Sequence, residues 1–468
     1  MASLPPSSNA PKPRKRFVGK TTRGSKSVST GLAAHQIPED ILNDPLLNQA
    51  IQQLPSNYSF EIHKTVHHVR KNQANMVALQ MPEGLQMFAC TIADIIERFT
   101  NALTVIMGDV TYGACCIDDY TALALGCDML VHYGHSCLVP IDTTQIKTLY
   151  IFVEIAIDSD HLAKTIRLNL PSDRARFHRL LLSDEDNSRH IAPGSKIGPA
   201  APLQLEDSAS HMSQDDHANS SVPGVPEILP TRLSLVSTIQ FVAAVQKLKE
   251  DLSSDRMRSV DGNLEPSIHT ASSNSSPSMG IYEASIPRSK PLSPGEILGC
   301  TAPRLSEVDA IIYVGDGRFH LESIMIANPD VPLFRYDPYS KKLTRERYDH
   351  DEMTSVRSNA IRTARKSIEA LGEGHGPRNT PDDPKAPIWG VILGTLGRQG
   401  SFKQLQSIAR QLTTSRRNIP FMPILLSELS PAKLALFQDH ISTFIQTSCP
   451  RLSIDWGYAF SRPLLNPV

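Results

Sequence analysis

The sequence lacks the cysteine spacings that usually mark a metal site or a disulfide framework. None of its seven cysteines stands three residues from another, so the paired ligands of a zinc ribbon are absent. The closely spaced triplet of the usual radical enzymes is absent as well. An odd number of cysteines in a reducing compartment indicates free thiols or metal ligands rather than disulfides. Any sulfur-bound metal therefore needs ligands from distant parts of the chain.

Long apolar runs and an excess of charge are also lacking. No stretch of about 18 apolar residues occurs, which predicts that no helix spans a membrane. The first residues lack the apolar core of a secretory signal, so we expect a soluble, cytoplasmic protein. The formal net charge of −1 gives no overall attraction to nucleic acid or to a membrane, so neither is an expected partner.

The 468 residues, of which 40% are apolar, suffice for about three domains with buried cores. Strand-like apolar segments alternate with segments of helical periodicity along most of the chain. This pattern predicts an α/β fold, with three similar parallel-sheet domains around a central site. We place these domains at 37–171, 232–371 and 388–468, with a polar linker at 372–387 before the third.

Three segments lack the apolar periodicity of folded structure. Segment 1–36 is basic and rich in Pro, Ser and Gly, and we interpret it as a disordered, solvated tail rather than a nucleic-acid patch. Segment 172–231 and, inside the second domain, segment 253–289 are rich in Ser, Pro and polar residues. Structureless stretches of this length do not fit inside a compact domain, so both are predicted to be disordered insertions.

Each predicted domain presents one cysteine in a loop beside a strand end, namely Cys115, Cys300 and Cys449. Ligands of open α/β sheets bind at such strand ends, and three thiolates suit an iron–sulfur cluster with one iron left open for a substrate. Spacing alone is equally compatible with buried structural thiols. Chemistry alone also leaves Cys115 and its neighbour Cys116 equivalent. The remaining cysteines, which are predicted to be core thiols, are Cys90, Cys127 and Cys137.

Six sequence blocks together resemble the signature blocks of the diphthamide synthase family. They occur in order along almost the whole folded part of the chain. The blocks are Tyr112–Asp119, Tyr133–Pro140, Pro294–Thr301, Gly315–His320, Gly394–Gly400 and Cys449–Gly457.

The resemblance implies that Cys115, Cys300 and Cys449 bind a 4Fe-4S cluster and that S-adenosylmethionine binds at its open iron. The implied reaction is a radical transfer of a 3-amino-3-carboxypropyl group to C2 of a histidine imidazole in translation elongation factor 2. It is the first step of diphthamide biosynthesis and releases 5′-methylthioadenosine. No catalytic residue is expected beyond the cluster ligands, because the cofactors carry the bond chemistry.

Small and polar residues at predicted strand ends are candidates for binding S-adenosylmethionine, because backbone N–H groups let a ligand approach there. Two of them, Arg318 and Arg398, are candidates for bidentate contacts to the methionine carboxylate. For any single residue, an ordinary turn or surface role is an equally good interpretation. The candidates are Glu83, Gly84, Gly113, His135, Ser136, Gly315, Arg318, Arg398, Gln399 and Gly400.

The resemblance also implies partners. A homologous second subunit would complete a heterodimer, a small iron-binding protein would donate electrons, and elongation factor 2 would be the protein substrate. All three cysteines and the block from Tyr133 are present, which favours the catalytic subunit. The alternative is a non-catalytic iron–sulfur scaffold that supports a partner. A dinucleotide-dependent enzyme is disfavoured, because Gly394–Gly400 lacks the G-x-G-x-x-G spacing.

Overall fold

The computed structural model describes residues 37–108, 117–134, 139–182, 229–254, 280–371 and 387–467, apart from 396 and 399. These residues form the expected α/β structure, with three larger sheets and one two-stranded sheet. The expected tail, most of both expected insertions and nearly all of the linker lie outside the described residues. Within the described ranges, no helix is long and apolar enough to cross a membrane.

The first part of the chain forms six strands, β1 (Tyr58–Ser59), β2 (Met76–Gln80), β3 (Leu103–Ile106), β4 (Met129–Tyr133), β5 (Lys147–Ile151) and β6 (Glu154–Ile155). Four of them make a parallel sheet in the order β3-β2-β4-β5, while β1 and β6 pair antiparallel. On β2, Val77 and Leu79 pack in one core and Ala78 in another, so both faces are covered, as parallel sheets require. The helices here are Glu39–Leu42, Pro45–Ile51, Ile62–Asn72, Glu83–Gln86, Ala89–Phe99, Asp119–Ala124 and the 3₁₀ turn Ile141–Thr143.

The second sheet contains β7 (Arg232–Ser237), β8 (Glu283–Ser285), β9 (Ala310–Val314), β10 (Leu333–Asp337) and β11 (Lys342–Glu346). Its order is β11-β10-β9-β7-β8, and β11 runs antiparallel to β10 whereas the other neighbours are parallel. Its helical segments are Ser159–Asn169, Arg174–Phe177, His178–Leu182, Ile239–Phe241, Val242–Ser253 and Arg318–Ala327. The helix Ser159–Asn169 falls within the predicted first domain, 37–171. It packs on the second sheet instead, because Leu162 and Ile166 share a core with Leu233.

The third sheet contains the parallel strands β12 (Ile388–Gly394), β13 (Phe421–Leu426), β14 (Ile441–Gln446) and β15 (Leu464–Leu465), in the order β13-β12-β14-β15. Its helical segments are His350–Ala370, Phe402–Thr414, Pro431–Ala435, Arg451–Ile454 and Gly457–Ala459. The long helix His350–Ala370 was expected at the end of the second unit. Its buried residue Ala364 instead shares a core with Trp389 and Val391 of this sheet.

Both expected insertions are shorter than predicted. Arg174–Phe177 is helical, and Phe177 is fully buried in the core of the second sheet. Strand β8 pairs with β7, and the hydroxyl of Tyr282 just before it donates to the Leu170 carbonyl. Single aromatic anchors within polar sequence carry no periodic signal, which is why these segments looked disordered.

That the three sheets form three separate domains stays a prediction.

Asp309 fastens the segment after residue 172 to the second sheet. Its carboxylate is buried, accepts hydrogen bonds from Arg174 Nε and the Arg232 backbone N–H, both at 2.9 Å, and lies 3.1 Å from His178 Nε2. We expect Asp309→Asn to lower the free energy of unfolding by about 2–3 kcal/mol, because a buried charge-assisted acceptor is lost. Urea unfolding measures this free energy. Asp160→Asn is the control, because Asp160 forms an exposed pair with Lys247, and it should change the free energy of unfolding little.

The cost of Asp309→Asn should depend on pH. Burial alone would raise the pKa of Asp309, but Arg232, His178 and Arg174 together hold the pKa below its usual value. A carboxyl with a lowered folded-state pKa stabilises the fold above its unfolded pKa and loses this stabilisation as pH falls through the folded pKa. The difference between wild type and variant should therefore shrink below about pH 4. A difference that is unchanged between pH 5 and pH 3 would contradict this account.

Candidate functional site

Two of the three candidate cysteines lie on loops that contact each other. Cys300 is exposed at the tip of a tight turn, in which the backbones of Leu298 and Thr301 hydrogen bond to each other. Cys449 follows β14 and is buried, with its carbonyl bonded by Gln446 Nε2 at 3.0 Å. Burial raises the pKa of the Cys449 thiol, and the charge of Cys300 raises this pKa further. The two cysteine loops are joined by Arg451, which lies two residues after Cys449 and donates to the carbonyl of Gly299, the residue before Cys300.

The third candidate, Cys115, lies outside the described residues, as do Cys116 and Cys137. Description resumes at Ile117, which contacts a loop of the third sheet. A Cβ on Gly397 would lie 2.8 Å from the Ile117 carbonyl oxygen, so the two backbones are in close contact. Gly397 has a φ of +53°, which favours glycine for a second reason. Ile117, two residues after Cys115, is thus held against the loop after β12.

An ion pair strengthens that contact. Arg398 Nε and one terminal nitrogen each lie 2.7 Å from an oxygen of the fully buried Asp119, a bidentate arrangement. Burial alone would raise the pKa of Asp119, but the bonds from Arg398 and from the Gln145 N–H hold this pKa below its usual value. Asp119 is therefore ionised at neutral pH, and the guanidinium of Arg398 is already engaged by the protein.

Arg451 lies between the two cysteine loops and is 2% exposed. One terminal nitrogen donates to the carbonyls of Gly299 and Phe319, at 3.1 and 2.6 Å. The other nitrogens donate to the carboxylates of Asp455 and Glu322. Arg451 was not among the residues assigned from the sequence, although its position two residues after Cys449 was a signal that could have found it.

A cavity of about 710 Å³ adjoins these loops. Most of its walls come from residues that follow parallel strands, at the edge where open α/β sheets bind ligands. They include Pro82–Leu85 after β2, Asp316–His320 after β9, and the three residues Thr238, Gln240 and Phe241 after β7. Trp456 also lines the cavity. Gly299, the neighbour of Cys300, also lines the cavity, so the candidate metal centre and the cavity are continuous.

Three of the ten candidates for binding S-adenosylmethionine line this cavity, namely Glu83, Gly84 and Arg318. The Arg318 guanidinium is shared with two carboxylates, those of Glu346 at 2.9 Å and Glu322 at 3.4 Å. Three further candidates lie elsewhere, because Gly315 packs on Tyr313, Gly400 packs on the Gly394 backbone, and Arg398 binds Asp119. The candidates that lie outside the described residues are Gly113, His135, Ser136 and Gln399.

Several cavity residues were not assigned from the sequence, and His320 is the most informative. Burial lowers the pKa of His320 to about 4, and the nearby charge of Arg451 contributes further. Its imidazole is therefore neutral at physiological pH. The block Gly315–His320 contained this residue, but nothing in the sequence indicated its surroundings. Phe319 and Trp456, whose rings stand 6.0 Å apart, add an aromatic wall.

The residues present fit an iron–sulfur cluster. Cys300 and Cys449 offer two soft thiolate ligands on adjoining loops beside a cavity, and the predicted third thiolate, Cys115, lies outside the described residues. Within the described ranges, which leave out 109–116, no group of three or more His, Cys, Asp or Glu side chains is placed to hold a metal ion. The two cysteines alone thus form an incomplete site.

Known proteins resemble this chain over nearly its whole length. Three relatives, each named 2-(3-amino-3-carboxypropyl)histidine synthase subunit 1, come from Schizosaccharomyces pombe, Gallus gallus and Homo sapiens. Their identities to the chain are 43%, 48% and 45%, over 97%, 93% and 96% of it. The matched parts make up 87%, 81% and 79% of the relatives' own lengths. The name indicates an enzyme with more than one subunit.

A crystal structure of Dph2 from Pyrococcus horikoshii with a 4Fe-4S cluster has the same fold, with a TM-score of 0.55 at 19% identity. The match covers 87% of this chain and 88% of that one. The family model described as "Putative diphthamide synthesis protein" matches residues 81–185 and 217–468. The resemblance found in the signature blocks is therefore confirmed, and the chain belongs to the family of diphthamide synthesis proteins.

Proposed function

We propose that the protein transfers a 3-amino-3-carboxypropyl group from S-adenosylmethionine to C2 of a histidine imidazole in translation elongation factor 2. Cys115, Cys300 and Cys449 would hold a 4Fe-4S cluster with one iron open to the substrate. The observation that carries the proposal is that Arg451, two residues after Cys449, bonds the carbonyl of Gly299 beside Cys300, and that Gly299 lines a cavity of about 710 Å³. The synthase name shared by relatives of 43–48% identity supports the same activity.

In this reaction the bond between the sulfonium sulfur and the methionine γ-carbon breaks, and a bond between that carbon and imidazole C2 forms. The C2 hydrogen leaves as a proton, and 5′-methylthioadenosine is the second product. When bound, the cluster would supply one electron for breaking this carbon–sulfur bond and would take one electron back as the C2 proton leaves, so that the overall transfer needs no net reductant. The protein contributes binding and electrostatics, which is its usual share in cofactor-dependent reactions.

The charges around the cavity suit a sulfonium cation. His320 is neutral, and Arg318 and Arg451 are paired with carboxylates, so no lone positive charge among the described lining residues opposes the sulfonium. Glu83 and Asp316 add carboxylates to the lining, which favours a cationic ligand. Phe319 and Trp456 offer ring faces for the adenine or the sulfonium methyl group.

Arg318 is the described candidate for the methionine carboxylate. Its side chain is 40% exposed and lines the cavity, so it can share its donors between Glu346 and a ligand. Arg398 is no longer proposed for this role, because its Nε and one terminal nitrogen already bind the carboxylate of Asp119. Gly84 leaves open space where a Cβ would stand, which lets a ligand approach the backbone there.

The proposed setting is a cytoplasmic heterodimer of this chain with a homologous second subunit. The words "subunit 1" in the names of the relatives support a second chain. A small iron-binding protein is the proposed electron donor, because the reaction has to be started by a one-electron reductant.

The experiment that tests the function uses the chain purified without oxygen together with its second subunit. After reduction with dithionite, S-adenosylmethionine and elongation factor 2 are added, and 5′-methylthioadenosine is measured by chromatography. We expect this product in amounts equal to the modified histidine. A sample that shows the visible absorbance of the cluster but forms neither product would favour the non-catalytic scaffold.

A further inference from the structure

We infer that two arginines on loops of the third sheet, Arg398 and Arg451, are positioning residues that lock the other two cysteine-bearing loops onto this sheet. The third sheet would then be the fixed frame on which the three-cysteine site is assembled. This inference rests on the proposed cluster ligands, but not on the proposed transferase reaction.

Arg451 uses its whole guanidinium to join the loops of Cys300 and Cys449. A guanidinium has five N–H donors, and each of the three nitrogens of Arg451 is engaged. One terminal nitrogen holds the carbonyl of Gly299, the residue before Cys300, while Arg451 itself lies two residues after Cys449. The backbones next to both cysteines are thus connected through one rigid group.

Packing around Arg451 leaves this loop little freedom. The guanidinium carbon lies 4.7 Å from the centre of the Phe319 ring. A Cβ on Gly299 would lie 1.9 Å from the same ring, so the turn that carries Cys300 is pressed against it. Two backbone bonds between Leu298 and Thr301 close the turn, and the Ser323 hydroxyl donates to the Leu298 carbonyl.

Arg398 has the matching role for the loop that ends at Ile117. Its bidentate bonds fix Asp119, four residues after Cys115, and its guanidinium carbon lies 4.6 Å from the centre of the Tyr120 ring. Gly397 next to it touches the Ile117 carbonyl. Arg398 follows β12 and Arg451 follows β14, and these strands are neighbours in one sheet. Both arginines are therefore anchored on the third sheet.

Lysine cannot reproduce either arrangement. Its single ammonium is a point charge that cannot bond two carbonyls and two carboxylates at once, nor bind a carboxylate in bidentate fashion. Arg451→Lys and Arg398→Lys therefore keep the positive charge but release the loops. Outer groups that orient metal ligands typically change metal affinity by roughly 10–100-fold when they are removed.

The test compares Arg451→Lys and Arg398→Lys with Arg174→Lys, which alters an arginine–carboxylate pair of the second sheet. Each full-length chain is purified without oxygen, and the rate at which an iron chelator bleaches the cluster absorbance is measured. The electron paramagnetic resonance spectrum of the reduced cluster and urea unfolding of the cluster-free chain are recorded as well. We expect iron loss about tenfold faster in the two test variants, with an altered spectrum, and wild-type behaviour in Arg174→Lys.

Iron retention and a spectrum equal to those of Arg174→Lys would overturn the inference. If Arg451→Lys fails to fold, Glu322→Gln is the second variant. It removes the negative charge that pairs with Arg451 but keeps an oxygen acceptor for the same arginine. The loss of this charge should also speed iron loss. A wild-type protein that holds its cluster but forms no 5′-methylthioadenosine would reject the transferase proposal and leave this inference standing. Product formation together with tightly held iron in the variants would reject the inference alone.

Discussion

Replacing Cys300 with serine is expected to remove most of the bound iron and the transferase activity, while the fold is retained. Thiolate is a soft ligand that suits iron sulfide, whereas a serine hydroxyl is hard and stays protonated at neutral pH. Cys300 is exposed in a tight turn, so the exchange of sulfur for oxygen should change the free energy of unfolding by no more than about 0.5 kcal/mol. Iron and sulfide are counted per chain after anaerobic purification.

Cys90→Ser is the matched control, because Cys90 is also an exposed cysteine but lies in the helix Ala89–Phe99, which is not on the cavity lining. It should keep the wild-type iron content. Wild-type iron in Cys300→Ser would reject Cys300 as a ligand, and with it the three-cysteine site. The same measurement on Cys115→Ser and Cys116→Ser identifies the ligand in the first loop, which chemistry alone leaves undecided.

The order of strands and helices was largely predictable, because each one depends on a local pattern. The five apolar residues Ala310–Val314, followed by a glycine turn, predict a strand with the same bounds that β9 has. Cys127 was expected to be a core thiol and is 2% exposed, as predicted. Cys90 was expected in the core too, and this was wrong. Apolar sequence neighbours surround it, but it lies off the buried stripe of Ile92, Ile96 and Phe99.

Contacts between distant parts of the chain were not predictable. Arg318 and Arg398 were predicted as bidentate partners of the methionine carboxylate, but the sequence could not name the protein carboxylates that they contact, Glu346 and Asp119. Asp119 lies 279 residues before Arg398, and Gly299 lies 152 residues before Arg451. No periodic signal links such positions. The sequence therefore predicted which loops carry the cysteines, whereas the arginines that hold these loops together emerged only from the structure.

Replacing Gly397 with alanine is expected to cost about 3 kcal/mol of unfolding free energy and much of the bound iron. Part of the cost is conformational, because a φ of +53° is unfavourable for alanine by about 1–2 kcal/mol. The rest is steric, because the new Cβ would stand 2.8 Å from the Ile117 carbonyl oxygen, and overpacking typically costs about 1–3 kcal/mol. The overlapping atom belongs to the backbone and cannot rotate away, so the loop that carries Cys115 has to move.

Gly126→Ala separates the two causes. Gly126 also has a positive φ, of +83°, but the nearest atom to its added Cβ is the flexible Met76 sulfur at 3.9 Å. This variant should therefore show the conformational cost alone, about 1–2 kcal/mol, with wild-type iron. Urea unfolding of the cluster-free chains and iron counts of the loaded chains measure both effects. Equal unfolding free energies and equal iron in the two variants would mean that the loop after β12 does not set the position of the Cys115 loop.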